Sequence, residues 1–145
     1  YNNRAVVYTV LDRYDLAVSD LNKAISTNPD SLKSYINRAA IYAKLNQYEE
    51  VARNLTEVIR LQPDNDLFYY NRGFAYAKTG QYNAALNDFN KTLRLKDNHA
   101  DAYNIRAAVY FNQRNIIPGC LDAKKACELG NCSTLRTVQA RGLCR

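Results

Sequence analysis

Tyr69–Tyr82 reads YYNRGFAYAKTGQY, and two of its features decide the fold. Tyr69, Arg72, Gly73 and Tyr76 recur at helical spacing, and the run breaks at Thr79–Gly80. The same residues return along the chain every 34 positions. Tyr1, Tyr35, Tyr69 and Tyr103 form one lattice; Tyr8, Tyr42, Tyr76 and Tyr110 a second; Tyr14, Tyr48 and Tyr82 a third. Eleven of the twelve tyrosines are so placed, and Tyr70 alone is not. Arg4, Arg38, Arg72 and Arg106 keep the period, each followed by a small residue (Ala5, Ala39, Gly73, Ala107). A fixed period of this length predicts stacked supersecondary units, each unable to bury its apolar face alone.

Working outward, a second helical stripe follows the break: Ala85, Phe89, Thr92 and Leu93 in this period, with Ala17, Val51 and Gly119 at the position of Ala85. Pro29 and Pro63 close the first two periods, where Asp97 and Asn131 stand in the others. The pattern is therefore two helices per period. The boundaries fall at 1–31, 32–65, 66–99 and 100–130, with 131–145 left as a terminal cap.

These small, aromatic and proline positions resemble the tetratricopeptide repeat family, in the variant with Asn-Arg-Gly/Ala at Asn3–Ala5, Asn37–Ala39 and Asn71–Gly73. The resemblance implies an all-α, right-handed superhelical solenoid with a concave inner groove, and a function in protein–protein interaction. The tyrosine lattices are then core. Each arginine has tyrosines at i−3 and i+4 on which its guanidinium can stack. Asp20, Asp88 and Asp122 share one lattice position on the second helices, with Asn54 in the series. A ladder follows, in which each arginine meets the acid of its own or the preceding repeat.

In this family a separate first-helix stripe lines the groove. It contains Lys33 and Ile36 in the second repeat, Leu67, Tyr70 and Phe74 in the third, and Asp101, Asn104, Ala108 and Phe111 in the fourth. Tyr70, Phe74 and Phe111 are large aromatics that the core pattern does not require, so they mark a site for an apolar side chain of a partner. Asn37, Asn71 and Asn104 border them with amides suited to an extended peptide backbone. The competing reading packs Tyr70 and Phe74 inside the superhelix or against an adjacent repeat. A chaperone-tail carboxylate clamp is not expected. Its positions fall on Asn2, Val6, Asn37, Leu67 and Asn71, or on Ile36, Ala40, Asn71, Asp101 and Ile105, and supply no cation.

All four cysteines lie after residue 119. A helix from Pro118 to Leu129, stopped at Gly130, and a last helix capped by Ser133 or Thr134 and running through Leu135, Val138 and Leu143 would form an antiparallel hairpin. That hairpin brings Cys127 to Cys132 at the turn and Cys120 to Cys144 at the open end; buried free thiols are the alternative. The segment CLDAKKACELG resembles the closing segment of secreted or periplasmic bacterial tetratricopeptide proteins and of sel-like repeats. This implies a periplasmic, outer-membrane-associated or secreted location, with a cytoplasmic one left for the free-thiol case.

Composition narrows the function classes. The net charge of +6 rises from −1 in residues 1–31 to +4 in residues 100–145, but the cations are scattered and no nucleic-acid motif accompanies them. A solvated face is the expectation, not a nucleic-acid partner. No apolar run reaches the ~20 residues of a membrane span. One histidine, no phosphate-binding glycine loop and only helix-surface acids such as Glu49–Glu50 argue against catalysis, a metal or a cofactor. The expected partner is a protein or peptide. Self-association through a solenoid end or the groove is the runner-up, and a chain that opens inside a repeat is expected to be part of a longer protein.

Overall fold

Each 34-residue period folds because its two apolar stripes can face each other only across a tight turn. In a computed structural model describing all 145 residues, that turn has one geometry. Asp12, Asn46, Gly80 and Arg114, spaced at the period, all adopt left-handed backbone, with φ of 55°, 56°, 76° and 61°. The residue after each donates its N–H to the carbonyl of a second-lattice tyrosine: Arg13 to Tyr8, Gln47 to Tyr42, Gln81 to Tyr76 and Asn115 to Tyr110, at 2.8–2.9 Å. This bond closes the exposed end of each first helix and sets the reversal.

The chain is all α-helix, in two compact units. Tyr1–Asp64 holds α1 (Asn2–Val10), α2 (Tyr14–Thr27), α3 (Leu32–Lys44) and α4 (Tyr48–Leu61). Asn65–Arg145 holds α5 (Asp66–Lys78), α6 (Tyr82–Leu95), α7 (Ala100–Asn112), α8 (Ile116–Glu128) and α9 (Ser133–Ala140). Within each unit, first helices pack against their own second helix and beside the next first helix: α1 beside α3, and α5 beside α7. The last helix, α9, touches α7 and α8 and so covers the end of the final pair.

Small residues set the spacing. A Cβ added to Gly73 would stand 3.1 Å from the Asp88 Cβ and 3.1 Å from the Phe89 ring, so α5 and α6 approach as closely as backbone allows. Phe89 is fully enclosed, with Ala85, Leu93, Ala102 and Val109 around it. In the first unit Ala5, Ala17, Leu21 and Ile41 play this part, with Tyr8 and Tyr14 packed against them.

Charged pairs complete each hairpin. Arg4 grips Asp20 at 2.6 and 2.7 Å, Arg72 grips Asp88 at 2.7 and 2.8 Å, and Arg106 grips Asp122 at 2.6 and 2.7 Å. Arg38 meets Asn54 at 2.7 Å, the neutral member of the series. Every pair lies within its own repeat. Arg38 and Arg106 also reach Asn22 and Asn90, at 2.6 Å, on the preceding second helix. Arg4, Arg72 and Arg106 each sit 5.4–6.0 Å from the ring centroids of the tyrosines at i−3 and i+4. The Arg4 hydrogen bond holds the Asp20 carboxyl below its ordinary range.

Cys120 is joined to Cys144 and Cys127 to Cys132. The last helix differs from the expectation. It stops at Ala140 instead of running through Leu143, because the chain turns at Gly142, where φ is +79°. Neither Ser133 nor Thr134 caps it with its own side chain. Asn104 Oδ1 accepts the Thr134 N–H at 3.0 Å, and Asn131 Oδ1 the Ser133 N–H at 3.2 Å. Reduction is expected to free α9. The Cys120–Cys144 link closes a separation of 24 residues and contributes roughly 3 kcal/mol on chain-entropy grounds. Mass mapping without reduction should recover both crosslinks, and a reductant should raise amide exchange in 133–140. A cap equally protected with and without reductant would overturn this.

Candidate functional site

One face of the second unit is floored by α7 and walled by α5 and α9. Two shallow depressions run side by side across it and share Ala108 and Asn112. One, of ≈ 190 Å³, lies between Phe74, Ala77 and Lys78 on α5 and Ile105 and Val109 on α7. The other, of ≈ 260 Å³, lies between Phe111 on α7 and Thr137, Val138 and Arg141 on and just beyond α9. Together they make one trough.

Its aromatic walls are held differently. The Lys78 ammonium lies 5.2 Å from the Phe74 ring centroid, a cation resting on a half-exposed ring. The Phe111 ring lies over Gly119, where an added Cβ would come within 3.0 Å of two ring carbons. Glycine there lets the ring lie flat on α8. Val138 is 6 % exposed and closes the bottom of the second depression.

Tyr70 does not line either depression. Its ring stacks on His99, with centroids 4.7 Å apart, and tilts against Phe89 at 6.1 Å. Burial, with a smaller effect from the Asp101 carboxylate, pushes its phenol pKa up. His99 is the residue preceding α7, and its Nδ1 accepts the Ala102 N–H at 3.2 Å. Tyr70 therefore packs at the junction of the third and fourth repeats. The ring stays half-buried there.

The other expected groove residues are dispersed. Leu67 and Asn71 are exposed on α5, outside both depressions. Asn104 is engaged as the cap of α9. In the first unit, Asn37 donates to Asn2 Oδ1 at 3.1 Å, Ile36 is half-buried and Lys33 exposed. Phe74 and Phe111 are the two that one trough brings together. The α9 wall was missed by the sequence reading, although a signal existed: Val138 stands 34 residues after Asn104, so the groove lattice continues into the cap.

No group of three or more His, Cys, Asp or Glu side chains converges as a metal site. Asn54, the first residue of an Asn-Leu-Thr triplet, is 2 % exposed and bonded to both Arg38 and the Glu50 carbonyl. It offers nothing to a modifying enzyme. No helix is long and apolar enough to cross a membrane.

A family model described as TPR repeat matches residues 41–80, and three described as tetratricopeptide repeat match residues 1–31, 21–51 and 67–99. No curated protein matches the chain. Among solved structures, MamA AMB-1 is 22% identical with a TM-score of 0.83, covering 94% of this chain and 76% of that one. MamA from Desulfovibrio magneticus RS-1, from residue 41 to its end, is 19% identical with a TM-score of 0.79, covering 88% and 72%. A further crystal structure of MamA is 17% identical with a TM-score of 0.83, covering 90% and 76%. At these identities the likeness shows the fold, a solenoid of helix pairs.

Proposed function

We propose that this chain, which belongs to the tetratricopeptide repeat family, binds a segment of another protein in the trough formed by α5, α7 and α9. One observation carries the reading. Phe74 and Phe111 each border one of two depressions, open to solvent, on an apolar floor that the core does not cover. A solenoid spends one face of each first helix on its partner helix and leaves the other for recognition. Large aromatics left on that second face supply contact area at little entropic cost. Lys33, Ile36 and Asn37 in the first unit are proposed as a contact surface of their own. Two disulfides favour an oxidising compartment, so we place the module in the periplasm, on the outer membrane or outside the cell.

Ala108 borders both depressions, so a large side chain there should close the trough while disturbing little of the core. Ala108→Trp is expected to lower affinity for a trough-binding peptide at least tenfold, about 1.4 kcal/mol, while the thermal transition stays within a few degrees. Titration by fluorescence anisotropy reads the first and calorimetry the second. Undiminished binding by a folded Ala108→Trp protein would remove the site from the trough.

Self-association has its own support. Tyr1, Val6, Val7, Val10 and Leu11 expose 47–77% of their surface on and beside α1, an apolar cluster that a second copy, or a preceding repeat of a longer chain, could cover. A protein that sediments as a monomer across a hundredfold range of concentration would count against that reading.

A further inference from the structure

The polar groups of the trough divide into those already used and those not. Ser133 Oγ lies 2.7 Å from Asn131 Oδ1 and 3.0 Å from Asn104 Oδ1. Thr134 Oγ1 donates to the Asn104 carbonyl at 3.3 Å, and Thr137 Oγ1 to the Ser133 carbonyl at 3.0 Å. Their hydroxyl hydrogens are spent inside the fold. Lys78, Asn112 and Arg141 are not spent in this way. No carboxylate pairs with Lys78 or Arg141, and neither depression has an Asp or Glu in its lining. An ammonium thus stands on the α5 wall, a guanidinium beyond α9, and an amide on the floor between them. The field over this apolar floor has one sign.

Resting on the reading of the trough as a docking site, we infer that its occupant is an extended segment with apolar side chains in the middle and a carboxylate at each end. The apolar side chains fill the depressions beside Phe74 and Phe111. One carboxylate meets Lys78, a point charge, and the other meets Arg141, whose fork can hold both oxygens. The Asn112 amide bonds the occupant's backbone. That amide argues for an extended chain, because a helix has already satisfied its own N–H and C=O groups. The dimensions agree. Neighbouring helix axes lie about 8–10 Å apart, so α5 to α9 spans roughly 18 Å. An extended chain crosses that distance in about five or six residues at ~3.3 Å each. A helix, at 10–12 Å across, is too thick for two depressions of ≈ 190 and ≈ 260 Å³.

The test is selection from a phage-displayed library of random octapeptides on the intact, oxidised protein at low salt. Recovered peptides should carry Asp or Glu at both ends of a window of about five or six residues, with apolar residues between. For a synthetic peptide so recovered, Lys78→Glu and Arg141→Glu should each weaken binding about tenfold. Salt should weaken binding to the parent protein and strengthen binding to the double charge-reversal variant, whose repulsion it screens. Peptides without acidic enrichment, or binding unmoved by both reversals, would overturn the inference. If such peptides still lose binding to the Ala108→Trp protein, the trough stands as the site and only the acidic signature falls. If they bind that protein as well, or if selection recovers nothing, the docking reading falls too.

Discussion

Phe89→Ala should cost about 3–5 kcal/mol, the range for removing a fully buried phenylalanine. The reason is position more than size. Phe89 is 0% exposed, at the centre of the cluster made by Ala85, Leu93, Ala102 and Val109. Its ring edge also occupies the space that keeps residue 73 a glycine. Alanine would leave a void bounded by α5, α6 and α7, and the Arg72–Asp88 bond holds α5 and α6 at their present spacing around it. Urea unfolding followed by circular dichroism measures the loss. Leu121→Ala is the control, since Leu121 is 65% exposed and its truncation should fall within about 0.5 kcal/mol. Similar losses from the two would mean that the cluster is not the core.

Arg72→Leu is expected to cost nearly as much, about 3–5 kcal/mol, although leucine is the family's commoner residue there. Asp88 is 4% exposed and receives two hydrogen bonds from Arg72. Replacing the arginine alone strands a carboxylate where water cannot reach it. The remedy is to remove the charge as well. The double variant Arg72→Leu/Asp88→Ala should regain at least half of the loss, because no buried ion is left unpaired. A double-mutant cycle in urea gives the coupling energy directly. Additive losses would show that the two side chains stabilise the fold independently.

The repeat itself was legible in the sequence, and for a physical reason. Stacked hairpins must meet the same packing problem every 34 residues, so the solution recurs in the residues. Tyr1, Tyr35, Tyr69 and Tyr103 show it, as do the arginines and their acids on the second helices. The trough was legible only in part. A helical stripe tells which face a side chain occupies, but not what arrives from elsewhere to cover it. Tyr70 belongs to the groove stripe by position, yet His99, almost a whole period later, lies across its ring. Asn104 was read as a groove amide, yet the cap that begins at Ser133 needed an acceptor, and its Oδ1 is taken. The far wall was obscured because α9 is short and its sequence carries none of the tyrosine lattice. Arg141, the cation beyond that wall, sits in a turn, where helical periodicity has nothing to say.

The arginine bridges also bear on how the chain reaches this structure. Each joins residues 16 apart, so the native topology is built largely from nearby partners. Closing so short a segment forfeits little chain entropy, and low contact order goes with rapid folding. A hairpin can therefore nucleate on its own, at whichever repeat orders first, and pass that order to the neighbours stacked on it.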